Sequence, residues 1–237
     1  MGKLLRAEWF KLFHDQSFWV TLAAAVLFNV LIFSGSPILN SSGAQALKLS
    51  MVKEVATAMI VCIYGGIFIG GDFFDRTLYH GLTAGKSRTA VLWAKIIVFS
   101  AAADMLLFLF PLLLVVICTS KNGWGTAVSA GLILHMISVV LAMLILGFAV
   151  GAVSLPAAVC FRDVGRTIGI PIILYFGMIL LLNSTYSSVF FRILPIGALI
   201  LVSDGTISPA YGMGLGAAWF ALMAAVSTLV FRRAELR

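Results

Sequence analysis

Residues 72–95 read DFFDRTLYHGLTAGKSRTAVLWAK, a polar stretch that lies between two long apolar runs. Its acidic and basic side chains are Asp72, Asp75, Arg76, Lys86, Arg88 and Lys95. The chain of 237 residues is 62% hydrophobic and only 11% charged, whereas soluble domains average about 25% charged residues. Because a water-soluble core of this size cannot hide so much apolar surface, lipid must surround the apolar runs. The sequence therefore predicts an all-α integral membrane protein.

Six apolar segments, taken with their flanks, approach or exceed the roughly 20 residues that a membrane-spanning helix needs. They are residues 17–35, 52–71, 94–118, 127–153, 168–183 and 210–231. We interpret residues 1–237 as a single transmembrane domain built from these spans. Residues 189–202 are also apolar but too few to cross, so we expect a short re-entrant hairpin on the outer face before the sixth span.

The first 16 residues have the pattern of an amphipathic helix. One side would carry the apolar residues Leu5, Trp9, Leu12 and Phe13, and the other side would carry Lys3, Lys11, His14 and Asp15. Such a helix is suited to the headgroup region of a membrane. The spacing alone leaves open whether it is an elbow helix that a partner contacts or a simple anchor.

The distribution of basic residues predicts the orientation of the chain. If both ends lie in the cytoplasm, four of the 16 Lys and Arg residues fall on the outer side, namely Lys48, Lys53, Lys121 and Arg192, and the other twelve fall inside. Basic residues collect in cytoplasmic loops of membrane proteins, so both termini are expected in the cytoplasm. The same rule explains the net charge of +7 without a nucleic-acid partner.

The sequence does not predict an enzyme, and we expect no metal or cofactor bound by this chain. Residues 81–87, GLTAGKS, have three residues between their glycines, whereas a nucleotide-binding P-loop needs four. The ionisable residues well inside the spans are Asp104 and His135, and neither lies in a protease or metal motif. Since charged groups at such depth usually face a bundle interior or a wet cavity, both are candidates for a pathway or gating role.

Bulky apolar residues lie beside the charges of the polar stretch, namely Phe73, Phe74, Leu78 and Tyr79. They suit a short cytoplasmic helix that docks in a partner's groove, with its charges setting the register. They also suit a helix end that rests at the membrane interface. The residues alone do not decide between these two possibilities.

Two stretches resemble a known family. One is residues 7–11, AEWFK, and the other runs from Gly70-Gly71-Asp72 through Thr77 and Leu82 to Ser87-Arg88 and Lys95. Together with six spans and both ends inside, they resemble permeases of the ABC type-2 exporter family. Many members have a proline before the Ser-Arg turn, where this chain has Ala84-Gly85.

The resemblance implies a half-transporter in the bacterial cytoplasmic membrane. Two permease chains, identical or different, would face each other, each seated on a separate ATPase subunit that binds ATP and Mg²⁺. A cytoplasmic coupling helix between spans 2 and 3 would contact the ATPase, and Glu8, Trp9 and Lys11 would belong to the elbow helix. The expected coupling residues are Asp72, Phe73, Phe74, Asp75, Arg76, Thr77, Leu78 and Tyr79.

Chains of this size in the family resemble exporters of amphipathic antimicrobial or toxin peptides, with small lipophilic compounds as the next possibility. The alternative from a different class is a self-contained membrane protein, either an ion-coupled carrier or a structural subunit.

Overall fold

The structure, a computed structural model, describes residues 2–74, 86–125 and 129–233. Within these ranges the regular structure is entirely helical. The α-helices are α1 (Gly2–His14), α2 (Gln16–Phe33), α3 (Gly43–Gly65), α4 (Gly71–Phe74), α5 (Arg88–Asn122), α6 (Ala130–Ala152), α7 (Ser154–Phe161), α8 (Val164–Leu182), α9 (Ser187–Ile193), α10 (Pro195–Ser203) and α11 (Pro209–Arg233). A 3₁₀-helix spans Pro37–Asn40, and a π-helix of five residues, Gly66–Gly70, joins α3 to α4.

Six helical segments in the described part of the chain are long and apolar enough to cross a membrane. They are Gln16–Phe33, Ala56–Phe73, Arg88–Asn122, Ala130–Phe161, Val164–Leu182 and Pro209–Arg233. Large apolar side chains on their outer faces are exposed, such as Leu31, Leu134 and Ile173, each at least 70% exposed. Since lipid is the solvent that accepts such surfaces, the chain is a multi-pass, all-α membrane protein, as the sequence predicts.

The second and third spans are longer helices than the apolar pattern suggests. Helix α3 already begins at Gly43, so residues 43–51, which the apolar pattern leaves outside the second span, are also helical. Helix α5 extends over 35 residues and continues through Pro111. Its start is fixed by Ser87, whose hydroxyl oxygen accepts a hydrogen bond of 3.3 Å from the backbone N–H of Ala90, as an N-cap residue does.

Two glycine pairs allow neighbouring helices to approach closely. A Cβ atom on Gly66 would collide with Ile168, and one on Gly70 would lie 3.2 Å from Thr167, both at the start of α8. A Cβ atom on Gly151 would lie 2.8 Å from Ala103 of α5. Small residues at a spacing of four permit this contact between membrane helices.

Side-chain hydrogen bonds also join the spans within the apolar core. Asn29 of α2 donates to the hydroxyl oxygen of Thr57 on α3 at 3.0 Å. The hydroxyl group of Tyr175 on α8 donates to the carbonyl oxygen of Val150 on α6 at 2.6 Å. Such bonds between membrane helices contribute on average about 0.6 kcal/mol each.

The segment expected to form a hairpin consists of two short helices, α9 and α10, which meet at Leu194 and Pro195. Helix α10 is mostly buried and packs against α6 and α11.

Candidate functional site: a buried ion cluster

Four charged side chains meet where α1, α4 and α5 come together. The carboxylate of Asp72 accepts hydrogen bonds from the ammonium groups of Lys11 and Lys95, one on each oxygen. Lys95 also donates to Oε2 of Glu8 at 3.1 Å. We call these four residues the ion cluster. It joins the N-terminal helix to the two helices on either side of the polar stretch.

The centre of the ion cluster is removed from solvent. Lys95 is 1% exposed and Asp72 is 6% exposed, while Lys11 lies at the open edge with a side chain that is 41% exposed. The ammonium nitrogen of Lys95 also lies 4.4 Å from the centroid of the Phe68 ring, a cation–π contact. The formal charges of the two lysines and two carboxylates cancel, which is the condition for burying them together.

Local sequence explains how each helix presents its charge. Glu8 and Lys11 are three residues apart on α1, so they lie on neighbouring positions of one helix face. The N-cap at Ser87 starts α5 at Arg88, which places Lys95 about two turns inside the helix. Asp72 lies two residues after the end of the π-helix. A π-helix shifts the phase of the helix after it and is frequent at functional sites.

This arrangement is suited to transmitting motion between helices. Removing one member of a buried ion pair leaves an uncompensated charge and costs about 3–5 kcal/mol. Separating α1, α4 and α5 would likewise leave buried charges without their partners. These helices are therefore expected to move as one unit.

The structure brings together three residues that were predicted from the sequence, Glu8, Lys11 and Asp72. Lys11, expected on the polar side of an interfacial helix, instead faces the bundle and binds Asp72. Trp9, also expected in the elbow helix, stacks on Phe13 with ring centroids 5.6 Å apart.

The position of Phe73 differs from the expectation that it docks in a partner. Its side chain is 6% exposed and packs edge-on against Phe231 of α11, with centroids 5.8 Å apart. The ring therefore contributes to the core, because α4 turns this side of the chain inward. Phe74 is the last residue of α4. The other expected coupling residues, Asp75, Arg76, Thr77, Leu78 and Tyr79, lie outside the described residues.

Lys95 is the central residue that the sequence analysis did not single out as a site residue. A signal for it was present, because its charge lies in the apolar run AVLWAKIIVF and a charge in such a run needs a partner. The sequence did not show which carboxylate that partner would be, since Glu8 is 87 positions away.

The two candidate pathway residues do not meet. Asp104 is buried on α5 beside Phe108 and Gly147. His135 is exposed near the start of α6, 12 residues before Gly147, which corresponds to about 18 Å along the helix. They therefore do not form one site.

Comparison of the sequence with models of known protein families finds no match, and a search of curated proteins finds no relative. The resemblance to exporter permeases therefore rests on the residues quoted for it.

Proposed function

We propose that this chain is the membrane-spanning permease subunit of an ATP-driven exporter of the ABC type-2 kind. It works with a separate ATPase subunit, which binds ATP and Mg²⁺, and with a second permease chain. It lies in the bacterial cytoplasmic membrane with both termini in the cytoplasm. Its substrates are amphipathic peptides or other lipophilic compounds.

The observation that carries this proposal is the ion cluster. Residues 75–87 connect α4 to α5, and Asp72 and Lys95 lie on the two helices at either side of this connection. Because Asp72 and Lys95 are bonded to each other and to α1, a displacement of the connection acts on three helices together. A permease driven by an external motor needs such a junction between its cytoplasmic loop and its spans.

In the proposed mechanism the ATPase contacts the polar stretch after Asp72. Closure of the ATPase dimer pushes this stretch, and the ion cluster transmits the displacement to α1, α4 and α5. The packed helices respond as rigid bodies, because tightly packed cores shift between discrete arrangements and do not deform continuously. The elbow helix α1 moves with the second and third spans.

A pull-down from the native cell tests the proposal. Tagged wild-type chain is compared with the double variant Leu78→Glu/Tyr79→Glu, which places two carboxylates among the expected apolar anchors. We expect an ABC ATPase to be recovered with the wild-type chain and to be lost with the variant. Phe73 is left unchanged, because its burial means that a charge there would disturb the core.

The matched control adds the same two charges at the opposite end of the bundle. Tyr186 and Val189 are 72% and 51% exposed, and they follow α8, which starts beside the π-helix and runs away from it. The variant Tyr186→Glu/Val189→Glu should recover the ATPase as the wild type does. If wild type recovers no ATPase while other membrane complexes stay intact, the proposal is wrong.

A self-contained ion-coupled carrier is the second candidate function. It is favoured by one observation, the buried carboxyl group of Asp104 on a membrane span, because such groups mark ion and proton pathways. Reconstitution of the purified chain alone distinguishes the two functions. Uptake driven by a proton gradient without an ATPase would favour the carrier.

A further inference from the structure

A lateral groove of about 450 Å³ opens on the side of the bundle between α2, α5 and α6. Its walls are apolar and rich in aromatic rings. The lining residues that matter here are Phe13, Phe18, Trp19, Phe108, Phe148 and Asp104. Trp19 is 51% exposed and Phe13 is 43% exposed, so the groove is open toward the surface that faces lipid.

Among the described residues that line this groove, Asp104 has the only ionisable side chain. It is 7% exposed, and its Oδ1 atom has no hydrogen-bond partner in the part of the chain that the structure describes. Lys95, on the same helix, instead binds the carboxylates of Asp72 and Glu8. In the described part of the chain, no ammonium group pairs with Asp104 as Lys11 and Lys95 pair with Asp72.

The depth of Asp104 in the membrane makes an unpaired carboxyl group there energetically costly. It lies nine residues beyond Lys95 on α5, or about 13 Å deeper along the helix. Since the apolar core of a bilayer is about 30 Å thick, this is near its middle when Lys95 lies at the boundary. A buried polar group without a partner is destabilising, so a cation that reached it would bind favourably.

A glycine on the neighbouring helix makes room for the carboxyl group of Asp104. A Cβ atom on Gly147 of α6 would collide with Oδ1 of Asp104 and lie 2.7 Å from the Phe108 ring. The aromatic rings of the groove add a second attraction for positive charge, because a cation within about 6 Å of a ring centroid is attracted to its face. The groove thus combines one carboxyl group with apolar and aromatic surface.

We infer that this groove binds a compact lipophilic cation from the membrane, with Asp104 as the group that recognises its charge. The aromatic residues Phe18, Trp19 and Phe108 would contact the apolar part of the ligand. The inference rests on the proposed function for the fate of the ligand, which would be the exporter's substrate. Binding itself requires neither ATP nor the ATPase.

Direct binding to the purified full-length chain in nanodiscs of zwitterionic lipid tests this inference. The probe is radiolabelled tetraphenylphosphonium, and tetraphenylborate, which has the same shape and the opposite charge, is measured separately. We expect saturable binding of the cation and none of the anion. The variant Asp104→Asn should weaken cation binding at least about tenfold, because it removes the carboxyl group that can ionise beside a bound cation and keeps the shape.

Two further variants make the result specific. Asp204→Asn removes one carboxylate from an exposed position and should bind like wild type. Trp19→Leu changes an exposed ring of the groove and should weaken binding several-fold, with the helical content and elution profile unchanged. It tests the groove even if Asp104→Asn fails to fold.

The inference is overturned if folded wild-type chain shows no saturable binding of the cation, or if Asp104→Asn binds as tightly as Asp204→Asn. Unchanged binding by Trp19→Leu would show that the cation does not bind in this groove. These outcomes are separate from the pull-down result. If the chain recovers the ATPase but binds no cation, only this inference is overturned. If it binds the cation but recovers no ATPase, only the exporter proposal is overturned.

Discussion

At the scale of single residues, Lys95 is the side chain on which the proposed coupling depends. It is 1% exposed and bonded to two carboxylates from two other helices. Hydrogen bonds and ion pairs with charged partners are strong where water is excluded. Lys95 therefore holds α1 and α4 against α5, and its removal should affect both stability and function.

Replacing Lys95 with Met keeps most of the volume of the side chain and removes its charge. We expect the free energy of unfolding to fall by about 3 kcal/mol, because Glu8 and Asp72 lose a buried partner. Unfolding in mixed micelles of mild detergent and dodecyl sulfate measures the change. The matched control is Lys121→Met at an exposed position, where we expect a change within about 0.5 kcal/mol. Equal stability of the two variants would show that the ion cluster does not hold these helices together.

The sequence allowed only part of this site to be predicted. Asp72 and the pair Glu8 and Lys11 were singled out because their positions resemble a family pattern. Their contact with Lys95 was not predicted, because helical periodicity describes one helix at a time and contains no information on which helices are neighbours. The burial of Phe73 escaped prediction for the same reason, since its partner Phe231 is at the far end of the chain.

At the scale of elements, the second span packs closely against the start of α8 next to the ion cluster. The π-helix Gly66–Gly70 carries two glycines that face the start of α8. Two small residues at this spacing favour close packing of membrane helices, but the spacing alone does not identify the partner helix. The length and apolar character of the spans, in contrast, predicted the six membrane helices, because a bilayer demands both.

Changing Gly66 to Ala tests this junction. The added methyl group would collide with Ile168, so we expect a loss of about 1–3 kcal/mol in the free energy of unfolding, as for other overpacked sites. Gly177→Ala on α8 is the control, because a Cβ atom there meets nothing within 4 Å. That control should leave stability unchanged or raise it slightly, since alanine favours the helix. A loss of the same size in both variants would mean that close packing at Gly66 is not the cause.

At the scale of the whole molecule, the distribution of charge and the number of spans together predict one membrane topology. Six spans return the chain to the side on which it started, and the excess of basic residues predicts that this side is the cytoplasm. The ion cluster and the connection between α4 and α5 would then lie at the cytoplasmic end. Residues 183–188, at the other end of α8, would lie outside.

Thiol labelling with a membrane-impermeant reagent tests this topology. Single cysteines replace Lys3, Tyr186 or Arg233 in a chain whose Cys62, Cys118 and Cys160 are changed to alanine. We expect labelling at position 186 in intact cells, and at positions 3 and 233 only in inside-out vesicles. Labelling of positions 3 and 233 on opposite sides would show an odd number of crossings.

The most direct test of the central claim is photocrosslinking in living cells from position 79 in the polar stretch. A photoreactive phenylalanine analogue replaces Tyr79 in one strain and Tyr186 in another, and the crosslinked products are identified by mass spectrometry. We expect an ABC ATPase to be captured from position 79 and not from position 186. Capture of no ATPase at position 79, from a chain that is folded and inserted in the membrane, would contradict the claim that an external ATPase drives this protein through that stretch.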